Sequence, residues 1–138
     1  KWRFSELEAD LVRRNLVGPG WIASELQPKL REIVRFTARA AHSELGGDTG
    51  GRHCFALLGA DLMLDASLNP WLTEVQKGPG LAFRDPVKAE VVPPMFQEAI
   101  RIMFEVQDQT LAGSSVRSLA SMERFQWVIN DPAQPLER

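Results

Sequence analysis

Phe55-Ala-Leu-Leu-Gly59-Ala-Asp61-Leu-Met63-Leu-Asp65 is followed by Ala66-Ser-Leu-Asn-Pro70 and then by Trp71-Leu-Thr-Glu74-Val-Gln76. Two apolar runs rich in strand-forming residues, separated by turn-forming Ser, Asn and Pro, predict a β-hairpin, with a first strand beginning near Cys54. Centring the turn between Ser67 and Leu68 sets Gly59 opposite Gln76, Asp61 opposite Glu74, and Met63 opposite Leu72. Side chains alternate across a strand. One face therefore carries Gly59, Asp61, Met63, Leu72, Glu74 and Gln76. The other carries Leu58, Ala60, Leu62, Leu64, Trp71, Thr73 and Val75, and is expected to join the core. A slip of one residue would send the two carboxylates to opposite faces.

The first face raises a physical question. Residues directly opposed across an antiparallel pair have Cβ atoms about 4.5–5.5 Å apart, where like charges repel. Such carboxylates share a proton, pair with Arg or Lys, or share a cation. Magnesium favours oxygen ligands, commonly one or two carboxylates completed by substrate phosphates. Asp61, Glu74 and the amide oxygen of Gln76 make such a set, and Gly59 would leave open space beside it. A solvent-facing pair neutralised by basic side chains elsewhere fits the same pattern, and both readings stand at this point.

Outward from the hairpin, Gly46 to Gly51 reads as a flexible loop over 46–52. It lacks the Lys-Ser/Thr pair and following helix of a phosphate-cradling loop. Ser5-Glu6-Leu7-Glu8 predicts a capping box at the start of a first helix, closed by Gly18-Pro19-Gly20. A longer amphipathic helix is expected over 22–45, with Pro28 in its first turn or at a break. Its Arg31, Arg35 and Arg39 share one face, which suits a solvated surface. Pro93-Pro94 is expected to open a helix through Phe96, Ile100, Met103, Phe104 and Val106. A last helix is predicted over 115–128, and the tail 131–138 is expected to fray.

The chain has 138 residues, 44% apolar and 25% charged, with a net charge of −2. That balance suits a globular domain and lacks the basic footprint of a nucleic-acid binder. No apolar run approaches the ~18 residues of a membrane span, and no signal peptide opens the chain. Cys54 is the single cysteine, so no internal disulfide forms and a reducing compartment is the simplest expectation. The apolar start at Lys1-Trp2 suggests that the protein continues upstream. His42 suits a helix C-terminus. His53 and Cys54 are adjacent, so they would face opposite ways in a strand. Ser114-Ser115 has no base nearby in sequence.

The stretch 53–81 resembles the tubulin–tyrosine ligase and polyglutamylase family. Its pattern is an apolar strand with Gly-x-Asp-x-Met-x-Asp, a short turn, Trp-Leu-x-Glu-Val-Asn, then Pro and a following Leu. Here these are Gly59, Asp61, Met63, Asp65, Trp71, Leu72, Glu74, Val75, Gln76, Pro79 and Leu81. Residues 1–45 resemble the helices that precede this hairpin in the family. The resemblance implies an α+β chain, the C-terminal subdomain of an ATP-grasp fold, with an antiparallel hairpin packed against several helices in a single partial domain over 1–138. It implies ATP and Mg2+ as cofactors, and ligation of Glu, Gly or Tyr to a tubulin-tail carboxylate through an acyl phosphate. Asp61, Glu74 and Gln76 match the metal-binding positions; Asp61, Met63, Leu72 and Glu74 match cofactor-binding ones. Tubulin or microtubules, and the upstream remainder of the same domain, are the implied partners; cytoplasm and cytoskeleton, the axoneme included, are the implied location.

Two positions depart from the pattern. Gln76 stands where the family has Asn, which lengthens the amide arm by a methylene. Lys77 replaces a usually small residue. The family's nucleotide-clamping lysines are expected upstream of Lys1, so this stretch alone is not expected to catalyse. A non-catalytic relative acting as a microtubule-associated scaffold is the alternative that the resemblance leaves open.

Overall fold

The structure is a computed structural model that describes residues 1–41, 55–82 and 84–129. The sequence expectations for Gly46–Gly51, His42, His53, Cys54 and the 131–138 tail lie outside these residues. The chain divides into two compact units, one formed by Lys1–Ala41 with Leu57–Gly80, the other by His42–Ala56 with Leu81–Arg138. The described elements are α-helical and β-stranded: three α-helices, a π-helical turn and a two-stranded antiparallel sheet. No helix among the described residues is long and apolar enough to cross a membrane.

In the first unit, α1 spans Phe4–Arg13. Its start lies upstream of the expected Ser5/Glu8 box: the Arg3 backbone N–H donates to Glu6 Oε2 at 2.6 Å. Glu8 has another use, since its Oε1 accepts the Ile22 N–H at 2.8 Å. That bond caps the next helical segment with a carboxylate from α1. The chain leaves α1 through Asn15, whose φ of 56° is the left-handed conformation that Asn tolerates.

A π-helical turn, Ile22–Leu26, leads directly into α2, Gln27–Ala40. Pro28 explains the change of pitch. Its ring cannot sit against the carbonyl four residues back, and it brings no N–H to an α-helical rung. The widened turn lets Gln27 N–H reach Ile22 O instead. Leu11, Trp21, Ile22 and Leu26 form the buried core of this unit, with Leu7, Val17, Leu30, Leu64 and Leu68 packed around it. Leu64 and Leu68 come from the hairpin, so the core is also its seat.

The hairpin consists of β1, Gly59–Leu64, and β2, Pro70–Gln76. β1 is shorter than the sequence suggested, because residues 55–58 form no ladder. Asp65 organises the turn: its Oδ1 accepts N–H bonds from Ser67 and Asn69, both at 2.9 Å. Leu68 takes φ of 61° there, and Lys29 Nζ on α2 donates to Asn69 Oδ1 at 3.3 Å.

The pairing is Gly59↔Gln76, Ala60↔Val75, Asp61↔Glu74, Leu62↔Leu72, Met63↔Trp71 and Leu64↔Pro70, with an irregularity between Asp61 and Leu62. Thr73 is thus the extra residue of a β-bulge. The open half of the predicted register holds, whereas the half nearer the turn is shifted by one. Leu72 therefore lies opposite Leu62, off the Asp61 face. Trp71 lies opposite Met63 and is 63% exposed, so its expected place in the core is not realised.

In the second unit, α3 spans Pro86–Leu111, seven residues before the expected opening at Pro93. The true start is Asp85, whose side chain accepts the Lys88 N–H at 3.0 Å, followed by Pro86 in the first turn. Pro93 and Pro94 lie inside the helix; they leave two rungs without donors but do not end it. The predicted helix over 115–128 does not form. Glu98, 0% exposed, accepts the N–H groups of Glu123, Arg124 and Phe125 on Oε1 at 2.7–2.8 Å. Glu105 accepts the Ala120 and Ser121 N–H groups at 2.7 and 2.8 Å. The donors that a helix would turn toward its own carbonyls are bound to carboxylates of α3, one helical heptad apart. This satisfies the buried backbone without regular structure.

Candidate functional site

Asp61, Glu74 and Gln76 converge on one side of the hairpin. Gln76 Nε2 donates to Asp61 Oδ2 at 2.8 Å and also to Glu74 Oε1, so one amide bridges both acids. Both carboxylates are exposed, and among the described residues neither forms an ion pair. The solvent-facing reading with basic neutralisers therefore lacks its arginines and lysines among those residues. The bulge is what keeps the acids together. Thr73 Oγ1 donates to the Asp61 carbonyl at 2.9 Å, which fixes the extra residue and keeps Glu74 directly across from Asp61.

Gly59 does not leave the open space expected of it. A Cβ built there would lie 3.0 Å from Pro79 Cβ and 3.6 Å from its Cα. The segment after β2 thus folds back over Gly59 and closes that end of the face. Lys77 is exposed. At the other end, Met63 and Trp71 are both largely exposed on the carboxylate side.

Two organising residues are not apparent from the strand and helix patterns. Asp65 Oδ2 accepts the indole N–H of Trp71 at 2.9 Å while Oδ1 holds the turn. The Trp71 N–H first, then the Asn69 backbone N–H, hold the Asp65 carboxyl below its usual pKa. The Asp-x-Ser-x-Asn spacing is a side-chain-capped turn signal that could have revealed it. The second is Glu98. Burial pushes its pKa up, but the Phe125, Arg124 and Glu123 N–H groups and the Arg124 guanidinium outweigh that, and the net shift is downward.

The donor set suits a hard divalent cation that also carries phosphate oxygens. No group of three or more His, Cys, Asp or Glu side chains among the described residues could hold a metal alone. Two carboxylates and one amide oxygen leave coordination positions for a phosphate-bearing ligand, as magnesium sites of this kind require. Gln76 presents its nitrogen to the acids; rotating the amide end for end brings its oxygen to the same place. A concavity of about 490 Å³ in the second unit, lined by Glu90, Val91, Pro94, Met95, Arg124 and Phe125, offers no comparable convergence of polar groups.

The chain is 28% identical over 115 residues to the inactive polyglycylase TTLL10 of Homo sapiens, covering 83% of this chain and 17% of that protein. It is 24% identical over 81 residues to tubulin glycylase 3B of Tetrahymena thermophila, covering 59% and 7%. It is 33% identical over 63 residues to the tubulin polyglutamylase TTLL5 of Homo sapiens, covering 45% and 5%. The chain thus spans less than a fifth of the length of these relatives. No solved structure matches it. Residues 3–111, which include all three helices and the whole hairpin, match the model of the tubulin-tyrosine ligase family; the chain belongs to that family.

Proposed function

We propose that the chain is the metal-holding part of an ATP- and Mg2+-dependent ligase of ATP-grasp fold, which joins an amino acid to a carboxylate of a tubulin tail. The carrying observation is the Asp61–Glu74 pair: two exposed acids held face to face by a bulge, with a neutral amide between them and no cationic side chain paired to either among the described residues. A fold that sets like charges opposite each other loses stability unless a ligand neutralises them. The relatives named as a tubulin glycylase and a tubulin polyglutamylase support amino-acid addition to tubulin. Glycine, glutamate and tyrosine remain the candidates.

In this reading Asp61 and Glu74 hold magnesium, and Gln76 turns its amide oxygen toward it. Magnesium-bound ATP supplies the phosphoryl group that activates the acceptor carboxylate. Thr73 keeps the two acids in register, and the Gly59–Pro79 contact closes the far end of the face. Cytoplasm and cytoskeleton are the location that this activity implies.

One contact favours a second reading, a non-catalytic microtubule-associated protein. The Gln76 amide already satisfies both acids through its N–H groups, and one relative is named an inactive polyglycylase. Titration calorimetry of the full-length protein with ATP separates the two. The ligase reading expects magnesium-dependent ATP binding, weakened at least about tenfold by Asp61→Asn or Glu74→Gln, which is ~1.4 kcal/mol. Microtubule co-sedimentation with no nucleotide binding would establish the second reading instead.

A further inference from the structure

The concavity of about 490 Å³ in the second unit has walls from two places in the chain. Val91, Pro94 and Met95 come from α3, whereas Arg124 and Phe125 come from the irregular segment beyond it. That second wall lies outside residues 3–111, the stretch that the family model matches.

The second wall is fixed before anything binds. Glu98 Oε1 accepts the N–H groups of Glu123, Arg124 and Phe125 at 2.7–2.8 Å, and Glu98 follows Pro94 and Met95 on α3 by about one helical turn. A preformed wall removes an ordering cost from binding. The surface it offers is apolar apart from Glu90 and Arg124, and Glu90, Val91 and Arg124 are all exposed. Small-molecule sites enclose most of their ligand. A concavity with so exposed a rim suits instead a side chain projecting from a peptide laid across it.

Arg124 supplies the charge. Among the described residues its guanidinium makes two ion pairs, to Glu98 Oε2 at 3.7 Å and to Glu123 Oε2 at 3.9 Å, both too long for hydrogen bonds. Glu123 is already paired with Arg101 at 2.9 Å. The planar N–H donors that bind carboxylates best are thus unspent at the rim of an apolar hollow. The rim also carries Glu90, whose charge opposes a run of acidic residues. The geometry points to a docking site for a short peptide segment of a partner protein, in which a bulky apolar residue is followed by a single acidic one. The apolar side chain fills the hollow between Val91, Met95 and Phe125, and the carboxylate meets Arg124. This site stands independently of the ligase reading.

The test is fluorescence anisotropy with the full-length protein and three labelled peptides without terminal charges: Gly-Ser-Phe-Glu-Ser-Gly, its Phe-Gln counterpart and its Ala-Glu counterpart. A hydrogen-bonded charge and a buried aromatic side chain are each worth roughly tenfold or more in affinity, so the wild-type protein should favour Phe-Glu over either counterpart by about that factor. Arg124→Gln should bind Phe-Glu and Phe-Gln alike, at the wild-type affinity for Phe-Gln, which shows that the hollow is intact. Arg124→Lys should keep part of the preference for Glu. Val91→Asp changes an exposed helix position and should weaken both Phe peptides by roughly tenfold. No binding of the Phe-Glu peptide, equal binding of the Ala-Glu peptide, or a preference for Glu that survives in Arg124→Gln would overturn the assignment. If Arg124→Gln loses both Phe peptides, Val91→Asp decides: undiminished Phe-Glu binding there overturns it, and selective loss supports it.

Discussion

Replacing Leu26 by Ala tests how the hairpin is held. Leu26 is 2% exposed and lies in the cluster of Leu11, Trp21 and Ile22, against which Leu64 and Leu68 of the hairpin pack. The substitution removes three carbon atoms from the core, a transfer loss of about 2.4 kcal/mol at ~0.8 kcal/mol per carbon. Trp21 and Ile22 are fixed by the π-helical turn and cannot collapse fully into the space, so a cavity term adds to this. The expected total is about 3–4 kcal/mol, inside the ~2–5 kcal/mol span of Leu→Ala changes in cores. Hydrogen exchange read by mass spectrometry reports it locally: the opening free energy of α1, α2 and hairpin amides should fall together by that amount. Leu16→Ala is the control, since Leu16 is 57% exposed, and it should change the same amides by no more than about 0.5 kcal/mol. A loss below about 1 kcal/mol for Leu26→Ala, or hairpin amides that do not follow the helices, would refute the shared-core account.

Other expectations follow from single contacts. Gly59→Val places a branched side chain where even a Cβ would lie 3.0 Å from Pro79 Cβ; it should cost ~1–3 kcal/mol in chemical denaturation. Thr73→Val keeps the shape but removes the bond to the Asp61 carbonyl; a loss of about 0.5–1.5 kcal/mol is expected, with reduced magnesium-dependent ATP affinity as the bulge loosens. Glu98 is held below its usual pKa of 4.5 when folded, so its stabilisation is complete above about that pH and is lost as pH falls through the lower folded value. Glu98→Gln should therefore lower the melting temperature by several degrees at neutral pH and flatten its fall in acid, measured by circular dichroism between pH 7 and 3.

The Asp61–Glu74 pairing was reached because the register counted from the sequence coincides with the true one beyond the bulge, although it is off by one on the turn side. The bulge was not legible. An inserted residue such as Thr73 leaves the alternation of apolar side chains nearly intact, so one register was run through both halves of the hairpin, and Trp71 and Leu72, on the turn side of the bulge, fell on the wrong faces. The Pro93-Pro94 pair misled in a different way. Proline is common in a first turn, but Asp85-Pro86 already supplied a cap and an opening, and the helix continued through the later prolines. The expected 115–128 helix failed for a tertiary reason: Glu98 and Glu105 take its backbone donors. Leu119, Met122 and Phe125 keep a helical spacing that gives no hint of this.

The claim that Asp61, Glu74 and Gln76 share a divalent cation can be tested by paramagnetic broadening with manganese standing in for magnesium. With ATP and sub-stoichiometric Mn2+ added to the full-length protein, amide signals should broaden most around Asp61, Glu74 and Gln76, and Glu74→Gln should remove the effect. Broadening centred elsewhere, or unchanged in the Glu74→Gln protein, would contradict the account.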